Sequence, residues 1–468
     1  MKKQITKDSA KQVAEKTIEK LHQDQPKLNA VVSFVEVQDQ LESMNCEGKL
    51  AGVMVALKDN VSTKGIRTTA SSRILDNYVP VFDATITKKL KDAGAIIVAK
   101  ASMDELGMGG TNLNAATGAV KNPWDLSRIS GGSSGGSAAL VASGAVPLAI
   151  GTDTGDSVRK PAAFCGVVGV KPTYGRISRY GIVPYASSLD HVGYFTTNVM
   201  DAAYALEVLA GRDELDMTSS LKEVECYTEK ASGKIQGKTI GVLENVVESI
   251  HNEEIKNQFN ELIQVMEKQG AIIKKIKLDQ DLMRSILPTY YLIANCEATA
   301  NHANLDGVRF GVQQEGASAE EVMANSRTAG FGYYLRQRLM VGSYGLFVEN
   351  QEKLFRKAQR VRRVLVDALA KEFKEIDCLV APAAPNIAPK VDAESTEMMT
   401  DEVLIADNFM ILGNFSGYPS ITLPMGFVEN CPTGINLTCR PFEESEMFNI
   451  AQAFENETGL KDQVAEVK

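Results

Sequence analysis

The residues best suited to chemistry lie in one stretch, 130–176, which is dense in glycine, serine and threonine. It contains SGGSSGGS at 130–137 and GTDTGDS at 151–157. Hydroxyl side chains therefore stand beside glycines, which let a backbone approach a reacting group closely. Elsewhere in the sequence, small polar residues only punctuate apolar runs. We expect the reactive groups of the protein in this stretch.

A flexible linker is the ordinary interpretation of a Gly/Ser-rich segment. The sequence that follows, ALVASGAVPLAIGTD at 139–153, is strongly apolar and must be buried. Glycines embedded in a core serve backbone conformation or close approach rather than looseness. The pattern therefore favours a buried structural segment.

Phosphate-binding loops do not fit these residues either. A Walker loop needs Gly-Lys-Ser/Thr, with the lysine reaching the outer phosphates, and GGSSGGSAA contains no lysine. The dinucleotide pattern GxGxxG is also absent from a suitable setting. We reject both nucleotide-binding interpretations.

The sequence Gly-Gly-Ser-Ser-Gly at 131–135 matches the G-x-S-x-G pattern of serine hydrolases, with Ser133 as the nucleophile. Three histidines lie downstream for a triad: His191, His251 and His302. However, the nucleophile of that fold follows a core strand, whereas NPWDLSRIS at 122–130 is polar and turn-like. At this point a histidine-based triad stays open as an alternative.

The segments GGSSGGSAA and GTDTGDSVRKPAAFCGVVGVKPT together resemble the amidase signature family. The resemblance implies amide hydrolysis by a Ser–cis-Ser–Lys triad without a metal. It assigns the base to Lys58 in ALKDN, the cis-serine to Ser133 and the nucleophile to Ser157. The separations, 75 residues from Lys58 to Ser133 and 24 from Ser133 to Ser157, agree with the family. The implied oxyanion hole consists of the backbone N–H groups of Thr154, Gly155, Asp156 and Ser157.

A lysine can act as this base only when it is neutral. Its reference pKa is about 10.4, and lowering that value by roughly 3 units costs about 4 kcal/mol, normally through burial. Lys58 follows the apolar run VMVAL at 53–57, so we expect it to be buried. Ser133 would then relay the proton from Ser157 to Lys58.

Further segments, including TKGIRTTASS and NPWDLSR, resemble one branch of that family, the A subunits of aspartyl/glutamyl-tRNA amidotransferases. This likeness spans about residues 8–459. It implies hydrolysis of L-glutamine to glutamate and ammonia, with no cofactor in this chain. A partner B subunit would use the ammonia, with ATP and Mg²⁺, to convert mischarged Glu-tRNA(Gln) or Asp-tRNA(Asn). A small C subunit would complete a heterotrimer.

Free glutamine offers an α-carboxylate, best met by an arginine, and an α-ammonium, best met by a carboxylate. The resemblance assigns these roles to Arg338 in LRQRLMVG and to Asp407, seven residues before Asn414. It adds Tyr291 in PTYYLIANCEA as a third substrate-binding residue.

The chain departs from the family pattern beside the implied nucleophile. Asp156 replaces a usual glycine, Lys160 a usual glutamine and His191 the glutamine of S-L-D-Q, while GGTNLNAA at 109–116 replaces a serine-rich segment. If position 156 needs a glycine-only backbone, aspartate costs about 1–3 kcal/mol of strain there. Its carboxylate would also oppose the oxyanion. Two alternatives therefore stay open: a stand-alone amidase for another small amide, and a catalytically impaired copy.

The elements that must position these residues alternate between helix and strand. We expect helices at 8–24, 84–92 and 350–375, and strands at 52–57, 95–100, 238–244, 271–277 and 376–382. This alternation predicts a layered α/β fold with a mostly parallel or mixed sheet. The resemblance implies a three-layer α/β/α arrangement around a large mixed sheet, in a single amidase domain over residues 1–468.

Composition excludes several other classes. The 468 residues are 44% hydrophobic and 23% charged, which is ordinary for a soluble globular protein. The formal charge of −9 suits phosphate backbones poorly, so we expect the partner subunit to hold most of the tRNA. No apolar run is long enough for a membrane span, and no secretory signal is visible. Seven cysteines without a CxxC motif fit reduced thiols, so we expect a cytoplasmic protein.

Overall fold

The computed structural model describes residues 5–393 and 399–468, whose strands form one sheet of eleven. In chain order the strands are β1 Val31–Phe34, β2 Met54–Lys58, β3 Ile96–Ala101, β4 Leu148–Asp153, β5 Val168–Lys171, β6 His191–Thr196, β7 Thr239–Leu243, β8 Ile272–Ile276, β9 Cys378–Pro382, β10 Ser420–Val428 and β11 Cys431–Cys439.

The sheet combines parallel and antiparallel pairs. Its strand order is β1-β3-β2-β4-β6-β5-β10-β11-β9-β7-β8. The pairs within β3-β2-β4 and within β9-β7-β8 are parallel, and the remaining pairs are antiparallel. The prediction of a large mixed sheet is confirmed.

Helices cover both faces of this sheet. Within the described residues the α-helices are α1 Lys7–Leu28, α2 Gln38–Ser43, α3 Thr85–Asp92, α4 Gly135–Ala142, α5 Arg159–Cys165, α6 Val199–Leu209, α7 Tyr227–Lys230, α8 Glu244–Ser249, α9 Glu253–Lys268, α10 Gln280–Arg284, α11 Ile286–Asn301, α12 Ala319–Gly330, α13 Tyr333–Leu346, α14 Val348–Gln351, α15 Lys357–Glu372, α16 Ile411–Ser416 and α17 Glu444–Thr458.

Side-chain alternation along β2 explains the three layers. Val55 and Leu57 belong to a core with residues of α3, α6, α9 and α17. Met54 and Ala56 belong to a second core with residues of α1, α4 and α5. Because successive side chains of a strand point to opposite faces, one short apolar strand contributes to both layers. The predicted α/β/α class is therefore confirmed.

The strands expected from apolar runs all form, and the helices differ mainly at their ends. Helix α1 begins after Thr6, whose side chain caps it together with Ser9, and it continues four residues past the predicted end at 24. Leu28 is fully buried, which explains the extension. The predicted helix at 350–375 is interrupted by a π-helical turn at Glu352–Arg356.

The C-terminal end of α5 is held by the one tryptophan of the sequence. Trp124 Nε1 donates a hydrogen bond of 2.8 Å to the Cys165 carbonyl oxygen. Its ring lies edge-on to Phe427, with 4.9 Å between ring centroids. This contact fixes the far end of the helix that begins two residues after Ser157.

Three general features complete the description. All seven cysteines have free thiols. Among the helices of the described residues, none combines the length and apolar character needed to cross a membrane. The expectation of one domain over residues 1–468 stays a prediction, since 1–4 and 394–398 lie outside the described residues.

Candidate active site

Lys58 closes β2 and lies inside the protein. Because side chains alternate along a strand, it shares the face of Met54 and Ala56, which packs against α4. The side chain is fully buried, at 0% exposure. The burial expected from the preceding apolar run is therefore observed.

The Lys58 amino group has three oxygen neighbours. Nζ lies 2.8 Å from Ser133 Oγ, 2.8 Å from Ser134 Oγ and 3.2 Å from the Thr152 carbonyl oxygen. In the part of the chain that the structure describes, no carboxylate forms an ion pair with it. Two residues separated by 75 positions, Lys58 and Ser133, are thus in direct contact, as the family resemblance implied.

Burial lowers the pKa of Lys58 to about 7, against the opposing influence of Asp104, Asp153 and Asp190. A large fraction of the amine is therefore neutral near neutral pH. A neutral amine 2.8 Å from Ser133 Oγ can accept the proton of that hydroxyl.

The loop that carries Ser133 leaves no room for side chains at its glycines. A Cβ atom on Gly132 would lie 2.0 Å from Asp104 Oδ2, and one on Gly136 would lie 2.4 Å from the Ser102 carbonyl oxygen. The peptide bond between Gly132 and Ser133 is cis. This loop is packed against the core, so the linker interpretation is excluded.

The loop between β4 and α5, which carries Ser157, is fixed by a buried ion pair. The carboxylate of Asp153 lies 2.9 Å from the guanidinium of Arg159, and both side chains are fully buried. Burial alone would raise the pKa of Asp153, but Arg159 holds it well below its usual range. Arg159 also donates to the Gly155 carbonyl oxygen at 2.8 Å, and Asn414 donates to the Asp153 carbonyl oxygen at 3.0 Å. The loop therefore keeps one backbone conformation.

Consecutive backbone N–H groups in this loop have no acceptor. No hydrogen bond to any residue in 5–393 or 399–468 is donated by the backbone N–H groups of Thr154, Gly155, Asp156 and Ser157. The next N–H, that of Val158, donates to Asp153 Oδ2 at 2.9 Å. Unpaired N–H groups beside a nucleophile are the donors that an oxyanion requires.

Ser157 lies where the two loops meet. Its side chain is 3% exposed. Its carbonyl oxygen accepts a hydrogen bond of 3.1 Å from the backbone N–H of Ser134. The structure therefore brings together the segments of all three predicted catalytic residues: Lys58, Ser133 and Ser157.

Arg338, on α13, is surrounded by tyrosines. Its guanidinium donates to the hydroxyls of Tyr185 and Tyr291, each at 3.4 Å, and to that of Tyr334. Burial raises the pKa of Tyr291 to about 12, so this hydroxyl stays neutral. Among the described residues no carboxylate pairs with Arg338. Its positive charge is available to an anion.

Tyr290 connects this cation to the Ser157 loop. A Cβ atom on Gly155 would lie 3.0 Å from Tyr290 Cζ, so the phenol packs directly against the loop. The Tyr290 ring lies 5.8 Å from that of Tyr291 and 6.5 Å from that of Tyr185. The predicted substrate residues Arg338 and Tyr291 are therefore linked to the Ser157 loop through Tyr290.

Asp407, the third predicted substrate residue, is paired within the protein. Its Oδ1 lies 2.5 Å from Lys160 Nζ, and Asp156 Oδ2 lies 3.8 Å from the same Nζ. Burial raises the pKa of Asp156 to about 6, although Lys160 opposes the shift. Two carboxylates therefore share one ammonium group, which leaves a net charge of minus one when all are ionised.

The chain is similar to known proteins over most of its length. The sequence model described as "Amidase" matches residues 12–448. The chain belongs to the amidase family. The A subunit of glutamyl-tRNA(Gln) amidotransferase from Geobacillus sp. (strain WCH70) is 41% identical over 437 residues, which cover 93% of this chain and 89% of that one. The A subunit of the same name from Thermotoga maritima is 41% identical over 435 residues, covering 92% and 90%. Its crystal structure matches with a TM-score of 0.84 at 36% identity, covering 99% of this chain and 96% of that one.

Sequence reasoning missed several side chains that lie at this candidate site. Ser134 contacts Lys58 as closely as Ser133 does. The sequence Ser-Ser does not show which of the two side chains points toward the lysine. Asp104 is fully buried and acts on the charge of Lys58. Its place shortly after β3, next to the end of β2, was a usable signal. Tyr185 had no sequence signal that we could identify.

The departures from the amidase pattern have a mixed outcome. The backbone of Asp156 does not adopt a positive φ, so the strain considered for a glycine-only position does not arise. His191 is buried, and its Nδ1 lies 2.7 Å from the Leu189 carbonyl oxygen. The partner of Ser133 is a lysine, so the histidine-based triad has no support in the described residues.

Proposed function

We propose that this chain is the glutamine-hydrolysing A subunit of a tRNA-dependent amidotransferase in the cytoplasm. It would release ammonia to a partner B subunit, which uses ATP and Mg²⁺ to amidate Glu-tRNA(Gln) or Asp-tRNA(Asn), and a C subunit would complete the heterotrimer. The observation that carries the proposal is the 2.8 Å contact between buried Lys58 and Ser133 beside the Ser157 loop. Two relatives with that printed name support the choice of substrate and partners.

The reaction would follow from these positions in two halves. Ser157 Oγ attacks the side-chain amide carbon while its proton passes to Ser133, whose own proton passes to Lys58. The free N–H groups of the Ser157 loop hold the oxyanion. As the C–N bond breaks, the proton returns from Lys58 to the leaving nitrogen, and ammonia departs. Water then attacks the acyl-enzyme with the same groups as base, which releases glutamate and restores Ser157.

Substrate orientation would come from Arg338. Among the described residues its guanidinium contacts tyrosines and no carboxylate, so a substrate carboxylate would supply the missing anion. The cluster of Asp156, Lys160 and Asp407 carries a net negative charge when all three are ionised, and it suits an ammonium group. An amino acid with one group of each sign satisfies both ends.

The test is ammonia release from L-glutamine by the chain assembled with its own B and C subunits, ATP and mischarged tRNA. Ser157→Ala should reduce the rate at least ~10⁴-fold, because no acyl-enzyme can form. Its thermal unfolding and its association with the partners should match the parent protein. Ser134→Ala is the matched control, since it removes a neighbouring hydroxyl and should cost only ~10-fold. Near-normal turnover by Ser157→Ala would reject this mechanism.

A second candidate is an amidase for another small amide. The observation that favours it is the Lys160 ammonium 2.5 Å from Asp407, where an amino-acid ammonium was expected. In that case the assembled protein would leave glutamine intact and hydrolyse an amide without an α-ammonium. A catalytically impaired copy would instead leave every amide intact, and Asp156→Gly should then raise the rate sharply.

A further inference from the structure

The carboxylates of Asp156 and Asp407, both beside Lys160, differ in the number of hydrogen bonds that they accept. Lys160 Nζ donates to Asp407 twice, to Oδ1 at 2.5 Å and to the backbone carbonyl oxygen. The distance from the same Nζ to Asp156 Oδ2 is 3.8 Å, which is too long for a hydrogen bond. Among the described residues, no group donates a hydrogen bond to the Asp156 carboxylate. Among the described residues, Lys160 therefore engages one carboxylate oxygen of Asp407, whereas neither carboxylate oxygen of Asp156 receives a hydrogen bond.

Lys160 cannot easily leave this arrangement. Its side chain is only 5% exposed, whereas that of Asp407 is 43% exposed. A buried ammonium group that abandoned its partners would lose hydrogen bonds to a charged group without gaining water. Lys160 therefore stays in contact with Asp407.

Asp156 is also better placed for the reaction than Asp407. It directly precedes Ser157, and its side chain is 20% exposed and so within reach of a ligand. Burial is the main cause that raises the pKa of Tyr290 and of Tyr291, the tyrosines beside Arg338, and the charge of Asp156 adds a smaller part. The Asp156 carboxylate thus lies in the electrostatic range of the cation that would receive the substrate carboxylate.

We infer that Asp156 binds the α-ammonium of the substrate and that Lys160, by occupying Asp407, gives Asp156 this role. The inference rests on the proposed function, since it concerns how glutamine is held. It also changes the meaning of the two replacements. Asp156 brings a new hydrogen-bond acceptor to the site. Lys160 neutralises Asp407, so the net charge of the three side chains stays at minus one.

The experiment compares L-glutamine with glutaramate, which is the same five-carbon amide acid without the α-amine. The quantity measured is the ratio of kcat/KM for the two substrates in the assembled complex. Asp156→Asn keeps the shape of the side chain and removes its charge, so the ratio should fall ~10- to ~100-fold. Asp156→Gly should give the same loss if Asp156→Asn does not fold.

A matched control and a rescue sharpen the result. Glu402 has the same 20% side-chain exposure as Asp156 and lines a 350 Å³ cavity that Asp407 borders, so Glu402→Gln tests a general loss of negative charge. Its ratio should stay that of the parent. The double variant Asp156→Asn/Lys160→Gln releases Asp407 and should recover most of the preference for L-glutamine.

The outcomes separate two kinds of failure. If the parent complex hydrolyses L-glutamine, Asp156→Asn leaves the ratio unchanged and Asp407→Asn abolishes the preference, then this inference is wrong and the proposed function stands. If the well-folded parent complex does not hydrolyse L-glutamine, the proposed function is wrong and the inference falls with it.

Discussion

Two lysines are buried on neighbouring strands of the sheet, and only one of them is suited to act as a base. Lys58 is the last residue of β2. Lys100 lies on the neighbouring strand β3, where it pairs with Leu57 of β2. Both side chains are fully buried. Burial lowers the pKa of Lys58 to about 7 and that of Lys100 to about 8. The difference between them therefore lies in their partners.

Lys100 has partners that keep its proton in place. It donates to the Val61 carbonyl oxygen at 2.6 Å and to Thr68 Oγ1 at 2.8 Å, and Asp59 Oδ1 lies 3.7 Å away. Lys58 instead faces the hydroxyl groups of Ser133 and Ser134. Burial prepares a neutral amine, but a chain of exchangeable hydroxyl protons is what allows that amine to work.

The largest expected effect is on rate. Lys58→Met should lower ammonia release ~10⁴-fold, because Ser133 loses its proton acceptor. Lys100→Met should keep the rate per folded molecule within about tenfold. Steady-state assays normalised to folded protein measure both values, and equal losses in the two variants would remove the distinction between these lysines.

The stability of the protein should depend on pH through Lys58. Its pKa is about 7 in the folded protein, below the reference value of about 10.4 in an unfolded chain. The unfolded chain therefore binds more protons between these pH values, and this contribution to the free energy of unfolding rises with pH by up to about 5 kcal/mol. The contribution is lost as the pH falls toward 7.

Lys58→Met removes this dependence. Relative to the parent, the variant should gain most stability near pH 7 and progressively less toward pH 10. Urea unfolding at several pH values between these limits measures the difference. A gain that is constant with pH would mean that Lys58 keeps an ordinary pKa.

Lys100→Met should have the opposite consequence for stability. It leaves Asp59 fully buried without its cation, which costs about 3–5 kcal/mol. Asp59→Asn/Lys100→Met removes both charges and should recover most of that loss. Denaturant midpoints of the parent and both variants give the values, and a stable single variant would show that the pair contributes little.

The smallest expected effect concerns the acid limb of activity. The Asp104 carboxylate opposes the lowering of the Lys58 pKa, so Asp104→Asn should move the limb of kcat/KM from about 7 to a lower pH, by about one unit. Asp125→Asn is a control at a partly exposed carboxylate that is not among the charges acting on Lys58. A shift to higher pH would mean that Asp104 acts on Lys58 by another route.

The sequence predicted those parts of the protein that depend on local patterns. The apolar run at 95–100 predicted a strand correctly, because a strand that is buried on both faces of a sheet consists of a continuous apolar run. The contact of Lys58 with Ser133 followed from motifs that a family resemblance could align. The π-helical turn at Glu352–Arg356 had no such signal, since the apolar spacing there is helical throughout.

Pairings between distant parts of the chain were beyond that reasoning. Lys160 and Asp407 are 247 residues apart, and each was assigned separately before their contact was known. The strain considered for Asp156 did not arise, because the identity of a residue does not reveal its φ angle. Both the Lys160–Asp407 contact and the backbone angle of Asp156 depend on the tertiary structure, which the identity of one residue does not reveal.

The position of Trp124 gives the protein a built-in optical reporter. It is the only indole in the sequence, so the tryptophan emission of the chain comes from one known place. That place is the Cys165 carbonyl oxygen, at the opposite end of the short helix α5 from Ser157. Acylation or ligand binding that moves this helix alters the surroundings of a single fluorophore, so such a movement is readable by fluorescence without any label.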